Sequence, residues 1–308
     1  MKRSVIVFAS TVAAGTAVLG VIACGPASTG GLGAAPSAGP APARTAPPTP
    51  AGTVAPTPGS AAPSAPAPTS AARTIALQAW FSRGGRLFET WRTVPATTAV
   101  GAASVQAVLA GPNSPEVGAG LRSAVPAGTS LLGLNIAKGV ATVDLSSQFA
   151  ASASAGTVSL RLAQVVYTLT QFGTVRRLVF HVDGRAVTTI AGLSVTGPQT
   201  RAAYAGDLPA IVVASPAIGR RLTSPVIVSG TADVFEAVVS IRILNSAGKE
   251  IARTFTTASC GTGCRGDYSV AVPYSVSSVQ RGTVEVYESS VKNGSPVNVQ
   301  RIPVTLAP

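Results

Sequence analysis

Histidine is almost missing from this chain: His181 is the only one in 308 residues. Acids are scarce as well, 11 Asp and Glu against 23 Lys and Arg, and aromatics make up only 5%. These shortages exclude much chemistry. A Ser or Cys nucleophile normally recruits a histidine base. His181 lies in "RLVFHVDG", where strand alternation gives it the face of Val179 and a structural or surface role. Paired carboxylates could cleave a glycan, but five Asp and six Glu make no pair in sequence. Asp144 and Asp183 stand where turns and strand ends use Asp locally. Metal-ligand spacing is absent, as is a Gly-rich phosphate loop following a strand. The expectation is a protein that is not an enzyme, with no metal and no cofactor.

The three cysteines divide into one and two. Lys2 and Arg3 precede an uncharged, mostly apolar stretch from Ser4 to Ala23, which ends in Val21-Ile22-Ala23-Cys24. A basic flank, an apolar core and a small residue at the exit make a secretory signal. The junction resembles the lipobox of bacterial lipoproteins, which implies cleavage before Cys24 and diacylation of its sulfur. An uncleaved anchor is the alternative, since about 20 apolar residues can also cross a bilayer. Both readings place the rest of the chain outside the cytoplasm, because the positive flank stays inside. Cys260 and Cys264 in "SCGTGCRGDY" are four apart across a Gly-rich loop. In an oxidising compartment they are expected to form a disulfide, with two free thiols as the alternative.

Residues 24–73 hold 12 of the 24 prolines and read as a disordered linker behind the signal peptide of residues 1–23. Such Pro/Ala/Thr composition cannot offset the entropy of ordering and favours extended segments. The formal charge of +12 is carried mostly by single arginines, with Arg176-Arg177 and Arg220-Arg221 as the only adjacent pairs in the folded part. No basic cluster is interleaved with aromatics, so nucleic acid is not expected. In an exported protein the two arginine pairs are candidate contacts to anionic lipid or wall polymer, or simply solvated charge.

The remaining residues, roughly 235 of them, suffice for two domains. "RTIALQAWFSRGGRLFETWRTVP" predicts a hairpin about Gly84-Gly85, and "LLGLNIAKGVATVDLSSQF" a second near Lys138-Gly139. A helix is predicted from Thr98 to Ala110, and a stronger one from about Thr157 to Phe172. In the second, Val158, Leu162, Val165, Val166, Leu169 and Phe172 share one face. Strands in one layer and helices in the other give an α+β domain over residues 74–191. "GVATVDLSSQF" followed by "RLAQVVYTLTQFGTVRRLVFHVDGR" resembles the GerMN domain of sporulation and spore-germination lipoproteins. That resemblance implies a non-catalytic domain, in some members akin to ring-building modules.

After a joint over residues 192–209, about seven short alternating strands with regular turn signals suggest an all-β immunoglobulin-like sandwich over residues 210–308. Ser215-Pro216, Ser224-Pro225, "VSGTADVFEAVVSIRIL", "GDYSVAVPY" and "VEVYESSVKNGSP" resemble the immunoglobulin-like domain often found beside GerMN. That family usually has Phe where Tyr268 stands. Glu236 and Glu288 are candidate site carboxylates, or pins for loops at the sandwich end. "RGD" at Arg265 to Asp267 is expected only to follow the cysteine loop. The expected function is binding or scaffolding at the cell envelope by a lipid-anchored, extracytoplasmic protein, with envelope proteins or anionic wall polymers as partners. The alternatives are a wall-glycan hydrolase using Asp144, Glu236 or Glu288, and a ligand-binding subunit of a transporter or germinant sensor.

Overall fold

A computed structural model of the chain describes residues 73–308. The signal peptide, Cys24 and the Pro-rich linker lie outside the described residues. The first domain opens with β1 (Thr74–Arg83) and β2 (Arg86–Pro95), antiparallel and in unbroken register. Gly84 and Gly85 both take positive φ at the turn, the backbone that a two-residue hairpin requires. Next come α1 (Val100–Leu109) and the short α2 (Ser114–Gly118), then β3 (Leu131–Ala137) and β4 (Val140–Leu145). Lys138 and Gly139 close the second hairpin, both left-handed. A long helix, α3 (Ala155–Leu169), leads into β5 (Arg177–Val182), which runs parallel to β4, and a two-residue return, β6 (Arg185–Ala186). The sheet order is β3-β4-β5-β6, apart from the β1-β2 ribbon.

The expected strand layer is therefore two separate sheets, and α3 touches both β1 and β5. Its predicted apolar face is buried at Val158, Leu162, Val165, Val166 and Leu169, while Phe172 falls past the helix end and is half-buried. A polar stripe beside that face has a separate task. Gln164 donates to the Trp80 carbonyl (2.9 Å), Thr168 Oγ1 accepts from the Trp80 N–H (3.2 Å), and Gln171 exchanges two bonds with the Gln78 backbone (2.8 and 2.9 Å). One residue pair further along, Ser82 and Arg122 bond each other's backbone in both directions. The outer edge of β1 is thus satisfied by side chains of α3 and of Gln171 just past its end, and by the Arg122 backbone, in place of a third strand.

The segment expected as a joint is folded. β7 (Thr189–Ile190) and β8 (Leu193–Ser194) form a small hairpin, and a 3-10 helix at Arg201–Asp207 packs on α3. Arg201 donates to Thr170 Oγ1 (2.7 Å) and the Tyr167 carbonyl (3.0 Å), and Ser159 donates to Asp207 (2.6 Å). The Gly, Pro and Thr of this segment predict a joint, but its hydrogen bonds and the buried Tyr204 hold it in place.

The second domain contains β9 (Ile211–Ser215), β10 (Arg221–Leu222), β11 (Val226–Ala232), β12 (Val238–Leu244), β13 (Glu250–Thr257), β14 (Gly266–Val272), β15 (Gln280–Ser289) and β16 (Pro296–Leu306). They form a three-stranded sheet, β14-β11-β9, against a five-stranded one, β10-β16-β15-β12-β13. The core between them is aliphatic, with Val228, Ile241, Ile243, Val284, Val286 and Leu306 fully buried. β10, a two-residue strand parallel to β16, is the element that sequence patterning did not separate. The fold is an α+β domain followed by an immunoglobulin-like sandwich.

Candidate functional site

Among the described residues, the two domains meet along a polar seam. Arg265, from the "RGD" stretch, reaches back to the Pro209 carbonyl (2.6 Å) and lies near those of Ala210 and Thr231. The Trp91 indole donates to the Ala214 carbonyl (2.9 Å). Arg83 donates to the Arg301 carbonyl (2.8 Å) and to Gln300 (2.7 Å). Tyr268, where the resembled family has Phe, uses its hydroxyl to donate to the Val212 carbonyl (3.0 Å) across the smaller sheet. Gly230 makes room: a Cβ there would lie 1.9 Å from the Val212 oxygen.

The seam also holds buried titratable groups. Glu89 on β2 is 8% exposed, accepts from Gln78 Nε2 (2.9 Å), and has its carboxyl pushed up to about 7 by burial, against a weaker opposing pull from Arg201. Arg201 lies over the Tyr167 ring at 4.8 Å, and burial lowers its guanidinium and raises the Tyr167 hydroxyl. Glu116 shows the opposite balance. Burial pushes its carboxyl up, but a two-pronged bond from Arg92, the Thr90 hydroxyl and the Asn113 N–H outweigh that and hold it below the usual range. Arg161, 2% exposed, has no acid beside it and donates instead to the carbonyls of Ala124, Phe149 and Ala151.

The sequence candidates fall as follows. Cys260 and Cys264 are disulfide-bonded, with Cα atoms 5.7 Å apart. Their loop is tied down by Thr262 N–H to the Val234 carbonyl and by Gly263 N–H to Asp233 (both 2.9 Å). Asp144 accepts from the Gly184 N–H and Asp183 from the Ser147 N–H (both 3.0 Å), so each pins a turn. His181 is the register partner of Asp144 across β4 and β5, and no hydrogen bond joins their side chains. Both oxygens of Glu288 are occupied, by the Phe235 N–H (3.0 Å) and Asn298 Nδ2 (2.7 Å). Glu236 is exposed and sits at positive φ, and its N–H donates to Thr262. Among the described residues, no group of three His, Cys, Asp or Glu is placed to hold a metal.

The two arginine pairs line different grooves. Arg176 and Arg177 are exposed beside Lys138 and Ile136. Arg220 and Arg221 face a cleft of about 630 Å³ between the domains, shared with Trp91, Asn113 and Ile227. A third groove, of about 670 Å³, has no counterpart in the sequence pattern. It gathers Arg83 and Arg86 from the first domain and Arg301 from the second. Single arginines more than 200 positions apart leave no pattern in sequence, and only the docking of β16 on the first hairpin assembles them.

Residues 80–188 match a family model described as sporulation and spore germination, and residues 210–295 match one described as an immunoglobulin-like domain of bacterial spore germination. No curated protein is matched by the chain. Among solved structures, the chain is similar to a candidate lipoprotein from Clostridium perfringens, with 21% identity and a TM-score of 0.32 over 42% of this chain and 89% of that one. It is also similar to the first GerMN domain of the sporulation protein GerM from Bacillus subtilis, with 20% identity and a TM-score of 0.36 over 42% and 99%. The tandem GerMN domains of the same protein give 14% identity and a TM-score of 0.38 over 76% and 61%.

Proposed function

Because the chain carries a sporulation and spore germination domain followed by an immunoglobulin-like domain of bacterial spore germination, we propose that it is a binding or scaffolding module of the cell envelope. In this reading it is exported, held to the membrane by lipid on Cys24, and does no catalysis. Two acyl chains hold a protein to a bilayer far more durably than one, and the Pro-rich linker gives the folded part reach. Among the described residues, no helix is long and apolar enough to cross a membrane.

The observation that carries the reading is how charge is used. Of the candidate catalytic carboxylates, Asp144 and Glu288 are engaged by backbone N–H groups and Glu236 stands exposed, whereas the arginine pairs stand exposed on open grooves. Exposed cations of this kind steer encounter with anionic surfaces and respond to salt.

The test is complementation of a deletion strain together with sedimentation on purified envelopes. Asp144→Asn and Glu288→Gln are expected to complement fully. Arg176→Glu/Arg177→Glu and Arg220→Glu/Arg221→Glu are expected to lose envelope association several-fold, an effect that added salt reproduces in the parent. A well-folded Asp144→Asn or Glu288→Gln protein without function would favour the hydrolase instead.

A further inference from the structure

The third groove has the make-up of a ligand site. Its walls come from both domains: Gly84, Leu87 and Phe88 on one side, Pro209, Asn298 and Gln300 on the other. Three arginines converge on it, and little there balances them. Arg83 and Arg86 have no carboxylate partner among the described residues. Their guanidinium groups donate to neutral acceptors, Arg83 to the Arg301 carbonyl and Gln300, Arg86 to the Gly206 carbonyl. Arg301 does pair with Glu285 (2.8 Å), but that buried carboxylate also holds Arg242 at 2.6 Å. The cations are positioned as well as concentrated. Arg83 lies 4.2 Å over the Phe88 ring, and its two terminal nitrogens are fixed from the second domain. Burial, and repulsion from Arg301, hold the Arg83 guanidinium down to about 10, so an anion arriving here would relieve a standing conflict.

The ligand class follows from charge and size. Arginine forks suit carboxylate and phosphate oxygens alike, but three of them lining one groove from different sides match a tetrahedral phosphate better than a planar carboxylate. A volume of about 670 Å³ exceeds what a bare phosphate fills and lies within the range for small organic ligands. Asn298 Oδ1 and the Gln300 amide NH2, not used in the bonds to Glu288 and Arg83, offer partners for hydroxyl groups. We propose that the Arg83–Arg86–Arg301 groove binds a phosphate ester of a small polyol, a glycerol phosphate unit.

Calorimetric titration of the full chain with sn-glycerol 3-phosphate, alongside flotation with phosphatidylglycerol vesicles, tests this. Binding of the soluble ester supports the site with a free or polymer-borne unit as its source, and binding of vesicles alone supports it with a lipid headgroup. Arg86→Gln and Arg301→Gln should each weaken binding about tenfold or more, the loss expected for a charge-assisted bond. Arg301→Gln leaves Glu285 its bond to Arg242, so folding is expected to survive, and thermal melting checks it. Lys249→Gln, at an exposed cation outside the groove, should bind both probes like the parent. No binding of either probe, or equal losses in the Lys249 variant, would overturn the proposal. Glycerate or inorganic phosphate binding as tightly as the ester would overturn its ligand class.

Discussion

Glu89 shows how one residue changes meaning between sequence and structure. In "FETW" it is an ordinary strand glutamate. Folded, it is buried at the seam and its carboxyl stands near 7, above the 4.5 of an unperturbed Glu. The folded state therefore holds more protons than the unfolded one between those values. The Glu89 contribution is fully present below about pH 4.5 and is lost as pH rises through about 7. Urea unfolding between pH 5 and 8 should show stability falling with pH across that window. Glu89→Gln should flatten the trend and be the more stable protein at pH 8. A parent and variant with the same slope would mean that the carboxylate is better solvated than its burial indicates. Glu116, held low, acts in the opposite sense and only in acid, where protonation on descending through its depressed pKa removes its stabilisation. Neither shift could be read from sequence, because Glu89 depends on burial and on Arg201, 112 positions away, and Glu116 on Arg92 and Thr90, 24 and 26 positions away.

At the scale of elements, α3 does two jobs with adjacent stripes. The apolar stripe was legible from its three- and four-residue spacing. The polar stripe, Gln164, Thr168 and Gln171, has the same helical spacing, and it reads as a solvent face until the β1 edge is placed against it. Gln164 and Thr168 are fully buried. Thr168→Val keeps the shape and removes the acceptor for the Trp80 N–H, and Gln164→Leu removes the donor to its carbonyl. Each should cost about 1–3 kcal/mol, the penalty for leaving a buried backbone group unpaired. Denaturant melts measure the cost. Hydrogen exchange at the Gln78 and Trp80 amides should speed up while exchange in β15 stays unchanged. Uniform acceleration across both domains would show that the helix supports the whole fold and not this edge.

Across residues 73–308, the Trp91 indole and the Arg83 guanidinium cross from the first domain to backbone carbonyls of the second, and Arg265 ties the second domain to the Pro209 carbonyl of the segment between them. A single calorimetric unfolding transition is expected for the full chain, with Arg265→Ala lowering its midpoint or splitting it in two. Two well-separated transitions in the parent would show that the seam carries little energy. Much of the fold is legible in the sequence. Gly-Gly and Lys-Gly turns punctuate the hairpins, apolar spacing marks α3, and alternating strands mark the sandwich, because each of these is written in residues close together in the chain. The cysteine loop was legible for the same reason. The tertiary structure alone decided that the expected joint packs on α3, that the two arginine pairs face different grooves, and that Arg83, Arg86 and Arg301 share a third. Local pattern reports which face of an element is apolar. It carries no record of which distant surface that face will meet, and charge clusters built across a domain seam exist only once the meeting has happened.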